Sequence, residues 1–482
     1  ATARLTGSYN IGIGDSAGIA LTSGFNNILI GPYAGYTLSS ANYIIAIGYR
    51  AGYLNSTGTE VIAIGSEALY NNTASNNLGI GYRAGYTNTA GTGSSYIGYS
   101  AGMYVTGSNN TFFGYTAGRG VSGESSGASN VAIGTAALYS ITTGSFNIAI
   151  GRNSAYSVAS ATSNIMIGYN GAYSVTSSYN VFIGHSVGEN ATTGASNIAI
   201  GYEAFKSAVS GGTGGYNVFI GYRSGLSSTS AYANACVGFR SGYNLTSGYN
   251  NTILGYDALY GAVAGVTGDN NIALGSQALY GATSAAQNVI IGSSAGYTLT
   301  SGSYNTALGY RAGYTLTTGT KNIFIGHTAD TTSTGLVNSI VIGYGASTAT
   351  SNQIVIGNTS TGSAIIKGIY DSTDAVNPYV RIGTDGRLYR DSSSLRYKNN
   401  ITDIEIDTSN IYKLHPVSFN SLDSSDTRRH IGLLAEEVVD IIPEVVGYTR
   451  GKPDYINYDR LIVPLISEIK KLKQEVEELK RR

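Results

Sequence analysis

"NTALGYRAGYTLTTGTKNIFIG", residues 305–326, holds one complete step of a repeat and the start of the next. Gly309 follows Leu308 and Gly326 follows Ile325, a spacing of 17 residues. The same apolar–glycine pair recurs along the chain, with the glycine at 14, 31, 48, 65, 81, 98, 114, 134, 151, 168, 184, 201, 221, 238, 255, 275, 292, 309, 326, 343 and 357. Most steps are 16 or 17 residues, three are 20 and the last is 14. A chain this rich in glycine, serine and threonine could be disordered, but a fixed period argues for stacked repeats.

Within each step the residue before the marker glycine is apolar in all twenty-one cases, and the one two places earlier is mostly isoleucine, valine or leucine. A period of two predicts a strand. The third residue after the glycine is small, with fifteen alanines such as Ala51, Ala84 and Ala312, as expected where the chain bends against a neighbouring layer. Asparagine stands four places before the glycine in sixteen repeats, including Asn10, Asn147 and Asn322. A short amide tolerates turn geometry and can bond its equivalent one layer on. Seventeen residues are too few for a helical hairpin or a propeller blade, but suit one coil of a β-solenoid with two short strands and two turns. At about 4.8 Å per coil the shaft would be about 100 Å long. The 20-residue steps carry "RGVSGESSGASN", "KSAVSGGTGGYN" and "YGAVAGVTGDNN", insertions expected in the loops of one face.

Composition excludes several classes. Of 482 residues only 12% are charged and the net charge is zero, so the basic footprint of a nucleic-acid binder is missing. Cys236 is the only cysteine, which rules out an intrachain disulfide or a cysteine-based zinc site and leaves it as a small apolar filler. No run of 18 apolar residues exists, so no membrane insertion is expected. The opening "ATARLTGSYN" has neither a starting methionine nor a hydrophobic segment, as expected of the processed or truncated end of a longer chain. "GTGSSYIG" and "GGTGGYNVFIG" look superficially like phosphate loops, but no amphipathic helix follows them, so no nucleotide or other cofactor is expected.

Forty tyrosines stand against 10 phenylalanines and no tryptophan. They recur one and five places after the marker glycine, as in "GYRAGY" at 48–53, 81–86 and 309–314. Such columns could stack on sugars, or could stack on one another as a ladder. The ladder is the expectation, because the columns run along the whole shaft whereas specificity sits on a few loops. His185 and His327 occupy tyrosine places without a carboxylate cluster around them, which predicts stacked histidines and no metal. Asp15, Glu67, Glu203 and Asp257 are scattered, whereas a polysaccharide-cleaving site needs two carboxylates across a sugar cleft.

The phrases "NIAIGYEAF", "NTALGYRAG" and "NVAIGTAAL" resemble the head repeats of trimeric autotransporter adhesins over roughly residues 8–357, with longer coils here. The resemblance implies an all-β, left-handed parallel β-roll or β-solenoid in which three chains pack side by side. Three regions are expected: the β-roll shaft at 1–357, a β-structured neck at 358–392 and a distinct C-terminal domain at 393–482. In the neck, "NPYVRIGTDGRLYRD" reads as two strands joined by an Asp385-Gly386 turn.

The last 90 residues hold 29 of the 56 charged residues and end in an amphipathic helix. Leu465, Ile469, Leu472, Val476 and Leu479 are spaced 4, 3, 4 and 3 apart, a coiled-coil seam that asks for partner helices. "SSLRYKNNI", "HIGLLAEEV" at 430–438, "IPEVV" at 442–446 and "YDRLIVPLISEIKKLKQEVEEL" are similar to the C-terminal intramolecular chaperone of phage tail fibres and tailspikes, best known from endosialidases. That resemblance implies a small α+β domain that holds three chains together while a β-fibre folds and then cuts itself off. Its pattern of serine, aspartate, any residue, arginine, any residue, lysine places the nucleophile at Ser393 and the base at Lys398, with Arg396 between them. Ser394 stands where the family has aspartate, and the bond to be cut joins Ser392 to Ser393.

Such a dyad needs Lys398 partly buried, so that its neutral amine can take the serine proton. On a straight strand the pair would lie roughly 16 Å apart on opposite faces, so a turn or a second subunit must bring them together. Spacing alone favours Ser392 to Ser394 as a flexible linker with Lys398 a surface charge; the downstream phrases reverse that in favour of the dyad. The whole points to a homotrimeric fibre outside the cell, on a virion or a cell surface, that meets a glycan or protein receptor. A cell-surface adhesin or extracellular filament, and a polysaccharide-degrading tailspike, are the competing classes.

Overall fold

A computed structural model describes residues 7–206, 212–262, 265–360, 380–382, 388–390, 401–402, 405–420, 428–449 and 451–481. The chain divides into two units, Ala1–Ala364 and Ile365–Arg482.

In the first unit each coil contributes one strand of three or four residues, and twenty-one such strands form a single parallel sheet. Register follows the repeat: in the pairing of Ile198–Ile200 with Val218–Ile220, Ile198 meets Val218, Ala199 meets Phe219 and Ile200 meets Ile220. Sequence periodicity anticipates two strands per coil; the structure has one in nearly every coil. A second ladder forms between Asp330–Thr331 and Ser347–Thr348, alongside isolated bridges such as Leu245 to Val266. The reason lies in the backbone after each glycine. Residues two and four places on adopt left-handed φ, for example 50° at both Glu203 and Phe205, which bends the chain too tightly to stay extended. That segment still bonds coil to coil: the Glu203 N–H donates to the His185 carbonyl at 2.9 Å and the Phe205 N–H to the Ser224 carbonyl at 3.0 Å.

The marker glycine is fixed by contact as well as by torsion. Gly201 has φ 137°, and a Cβ there would lie 2.3 Å from the carbonyl oxygen of Gly221 one coil on. Gly221 stands in the same relation to Gly238, with φ 134° and 2.2 Å. Backbones therefore stack directly on backbones along this edge, and no side chain fits between them.

Asparagines four places before the glycines form a buried ladder. Asn197 is representative: its N–H and Nδ2 donate to Asn180 Oδ1 at 2.9 and 3.3 Å, and Nδ2 also donates to the Gly214 carbonyl at 2.9 Å. Its own Oδ1 accepts from the N–H and Nδ2 of Asn217 at 3.0 and 3.1 Å. Every donor and acceptor of the amide is thus used, which is what makes a fully buried polar column tolerable. Ile44 and Val61 interrupt the ladder with buried aliphatic side chains. There a second amide column, Asn55, Asn72 and Asn88, occupies a core place held elsewhere by residues such as Leu38 or Leu299, and Asn77 Nδ2 joins the two columns by donating to Asn72 Oδ1 at 2.9 Å.

The remaining core is filled by complementary sizes. In nearly every three-residue strand only the middle residue points inward, and a large one there commonly faces a glycine four places after a marker. Phe219 is answered by Gly225, where a Cβ would meet the ring at 2.3 Å. Where the strand supplies Ala199, Phe205 fills the space instead, its ring 5.0 Å from that of Phe219. Cys236 is buried in the same inward column, and burial pushes its thiol pKa up, as befits an inert filler.

Asn197→Ala would leave the N–H of Asn217 and the carbonyl of Gly214 without partners, and would cost Asn217 Nδ2 one of its two acceptors, the Ala231 carbonyl remaining. At about 1–3 kcal/mol per buried group left unsatisfied, partly relieved by rearrangement, a loss of about 2–4 kcal/mol is expected. Equilibrium denaturation of wild type and variant measures it.

Candidate functional site

Two regions concentrate side chains that the fold alone does not require. The first is the turn face of the shaft. Tyrosines one place after the glycine stack coil on coil, as do those five places after it. Tyr169, His185, Tyr202, Tyr222, Phe239 and Tyr256 form one unbroken run with centroids 5.0–5.2 Å apart. Tyr243, Tyr260, Tyr280, Tyr297 and Tyr314 form another at 4.8–5.2 Å. His185 and His327 are therefore stacked members of the ladder, as expected. Inside a run each ring face is covered by the next ring, so only edges and hydroxyls reach solvent and no face is left for a sugar.

Between the two tyrosine columns runs a column of charges that the sequence reading leaves scattered. Glu67, Glu203 and Asp257 all sit two places after a glycine, and each pairs with an arginine at the same place one coil away. Arg83 Nε donates to Glu67 at 2.6 Å, Arg223 Nε to Glu203 at 2.7 Å, and Arg240 makes a two-pronged pair with Asp257 at 2.7 and 2.6 Å. The guanidinium carbons also lie close to rings, 5.1 Å from Tyr222 for Arg223 and 4.1 Å from Tyr314 for Arg311. The signal was in the sequence: these residues are separated by one repeat step, 16, 20 or 17 residues. Each carboxylate is thus neutralised by an arginine on a neighbouring coil, and Glu203 also shares Lys206 with Glu189. Among the described residues there is also no group of three or more metal-ligating side chains.

Glu203 is the most heavily engaged of these. Burial pulls its pKa upward, but hydrogen bonds from Lys206 and Arg223 outweigh it and hold the carboxyl below the ordinary glutamate range. Hydrogen bonding to Asp257 raises the Arg240 pKa further above its usual value.

The second region is the C-terminal unit. Val380–Ile382 pairs antiparallel with Leu388–Arg390, the two strands expected in the neck. Val417–Asn420 pairs with Arg429–Gly432, and Val446–Thr449 with Lys452–Ile456. Between the last two hairpins lies a one-turn helix, α1 (Ala435–Val438), and after them a long helix, α2 (Tyr458–Arg481). Ala435, Val438, Ile442, Val445, Val446 and Leu461 are buried together. The phrases "HIGLLAEEV" and "IPEVV" are thus the core of this unit.

Helix α2 has two distinct sides. Leu461, Pro464 and Glu468 are buried. Glu468 Oε1 accepts from Thr408 Oγ1 and, at 2.6 Å, from Lys471 Nζ, while Lys471 also donates to Thr408 at 2.7 Å. Those bonds from Lys471 and Thr408 lower the Glu468 pKa. The other side carries Leu465, Ile469, Leu472, Val476 and Leu479, all exposed, from 44% to 69%. Sequence reading finds that seam from its spacing; it misses the buried Glu468, because a glutamate between lysines reads as solvated surface. No helix among the described residues is long and apolar enough to cross a membrane.

Ser392, Ser393 and Lys398 lie outside the described residues, so the proposed dyad has no geometry here. Residues 393–447 match the family described as chaperone of endosialidase. A search of the curated proteins finds no match to the chain. The chain is a β-solenoid of about 17-residue coils followed in sequence by an endosialidase-type chaperone domain, a combination that fits a tail fibre.

The stability that Glu203 contributes is full above the ordinary glutamate range and is lost as pH falls through its depressed folded pKa. Glu203→Gln is expected to flatten that acid limb in melting temperatures followed by circular dichroism from pH 7 to pH 3.

Proposed function

We propose that three copies of this chain assemble side by side into a structural and adhesive fibre that reaches a host or other surface from a virion or cell exterior. One observation carries the reading: the isoleucine-rich columns of the sheet point outward. In Ile148–Ile150 and Val181–Ile183 only the middle residue is buried, and the flanking aliphatics are partly open. Elsewhere they are more so, with Phe113 55% and Leu254 52% exposed. A face twenty-one coils long and three residues wide covers on the order of 1,000 Å², at about 4.8 Å per coil and 3.3 Å per residue. That is the scale of a stable protein interface, about 800 Å² per partner. It is an uninterrupted strip, better suited to an equally long copy of the same shaft than to a compact receptor. The exposed seam of α2 asks for parallel helices in the same way.

In this reading the C-terminal domain holds three chains in register while parallel strands, slow to nucleate, find their pairs. It then releases itself: Lys398 takes the Ser393 hydroxyl proton, Ser393 Oγ attacks the Ser392 carbonyl, and the C–N bond breaks as its nitrogen takes a proton. Water hydrolyses the resulting ester to free the domain. A glycan or protein on the target surface would be the receptor, and no cofactor is required.

Two experiments test the reading. Sedimentation of the full chain is expected to give a trimer, and Ile200→Lys with Ile220→Lys is expected to weaken assembly while circular dichroism stays β-rich; a monomeric wild type would overturn it. On denaturing gels the wild type is expected to release a piece of about 90 residues, a length set by a cut before Ser393, and Ser393→Ala to stay whole. A wild type that stays whole after assembly would remove the autoproteolytic step and leave the fibre reading standing.

A further inference from the structure

Five residues before each marker glycine the backbone is again left-handed, and asparagine holds many of these places, including Asn26, Asn76, Asn109 and Asn250, with φ between 54° and 62°. Asparagine and glycine tolerate this conformation; bulky side chains are strained in it. Six aromatics nonetheless occupy it: Tyr9, Tyr43, Phe146, Tyr179, Tyr216 and Tyr304, with φ from 58° to 65°. Coil-to-coil backbone bonds hold the torsion, as where Tyr179 N–H donates to the Thr162 carbonyl, and Glu60 and Lys321 adopt it too, but all six aromatics are more than half exposed, from 52% to 85%, so their rings gain little burial within the chain. Strained residues persist where a contact outside their own backbone repays the strain.

The neighbourhood identifies that contact. Tyr43 lines one shallow depression with Ile45, Glu60 and Ile62, so the aromatic place opens onto the same outward face as the aliphatic columns. Phe25 meets Tyr43 edge-on at 5.4 Å, and Tyr232 meets Tyr216 at 5.2 Å, extending the aromatic border on this side of the strands. In contrast to the stacked columns of the turn face, rings of the six are not stacked face to face on one another, since their coils are not adjacent. They stand as separate knobs at irregular heights along the shaft.

We propose that these six left-handed aromatics are contacts between copies of this chain, knobs that pack against a neighbouring copy at the border of the aliphatic face and fix its axial register. The proposal rests on the trimer reading. Identical coils repeating every 4.8 Å or so would let two aliphatic faces slip past one another by a whole coil with little loss. Bulky side chains at unequal intervals do not repeat on that spacing, so only one alignment seats all of them. A second copy is favoured over a glycan because the knobs border an apolar strip rather than a polar groove.

The test replaces the ring by the residue that the same backbone prefers: Phe146→Asn, Tyr179→Asn and Tyr216→Asn, singly and together, in the full chain. Each change relieves strain within a chain. If the rings face solvent, the melting temperature is expected to stay level or rise. If they are contacts between copies, the trimer is expected to melt lower by about 2–4 °C per site, and Tyr179→Phe, which keeps the ring, to melt as the wild type. A trimer whose asparagine variants melt level or higher would overturn this inference and leave the trimer standing, and loss of surface-glycan binding by those variants would assign the rings to a receptor instead. A monomeric wild type would overturn both.

Discussion

Direct stacking of backbone on backbone at the marker glycines is the constraint on which the shaft depends. Because the carbonyl oxygen of Gly221 lies 2.3 Å from where a Cβ of Gly201 would be, successive coils are held at strand spacing on that edge, and everything hung from it repeats at the same spacing. Tyrosine rings then fall 4.8–5.2 Å apart and stack. Asparagine amides fall within hydrogen-bonding distance of their equivalents. Opposite charges two residues past successive glycines meet. None of these ladders is stable alone in water; each is a consequence of the glycine spacing and reinforces it, which is why one short phrase can specify an extended rod.

The period, the strand, the coil-to-coil asparagine bonds and the stacked rings were legible because each leaves a mark at a fixed place in most repeats. Direction was not. A period of two says that Ile198 and Ile200 share a face but not which face, and the usual association of isoleucine with a core points the wrong way here. The inward residue is the variable one, Ala199 or Phe219, because it must complement Phe205 or Gly225 across a narrow interior. The second strand of each coil was over-read for a related cause. Left-handed φ at Glu203 and Phe205 has no composition signature, since arginine, glutamate, serine and asparagine all occupy such places. In the C-terminal unit, the helix seam was legible from spacing alone, whereas the buried Glu468 depends on Thr408, sixty residues earlier in the chain.

The shaft separates its polar and apolar groups in an unusual way. Its interior carries a long amide column, broken at Ile44, Val61 and Ser94 and tolerable because asparagines such as Asn197 use all their hydrogen-bonding capacity, while aliphatic area is left on the outside. A single chain therefore reaches a folded coil with an unburied face. Assembly of copies would complete what coiling begins, and a lone folded shaft would be prone to stick to others in the wrong register. That is a physical reason for a chaperone domain to sit on the same chain as the shaft.

The two sides of helix α2 fit that role. Burying Glu468 with Thr408 and Lys471 fixes how the helix is rotated on its own domain, since a rotation of about 60–100° would carry the glutamate out of its site and drive Leu465 or Ile469 into a place built for hydrogen bonds. Buried polar groups specify orientation better than apolar ones, because a misplaced hydrogen-bonding group loses its partners whereas a misplaced leucine finds others. With its rotation set, the helix presents the Leu465-to-Leu479 seam, which adjoins the buried side, in one direction only. In the proposed trimer, seams presented identically by three domains would meet before the coils do, and register would be chosen first by a short helical contact rather than by a long sheet face.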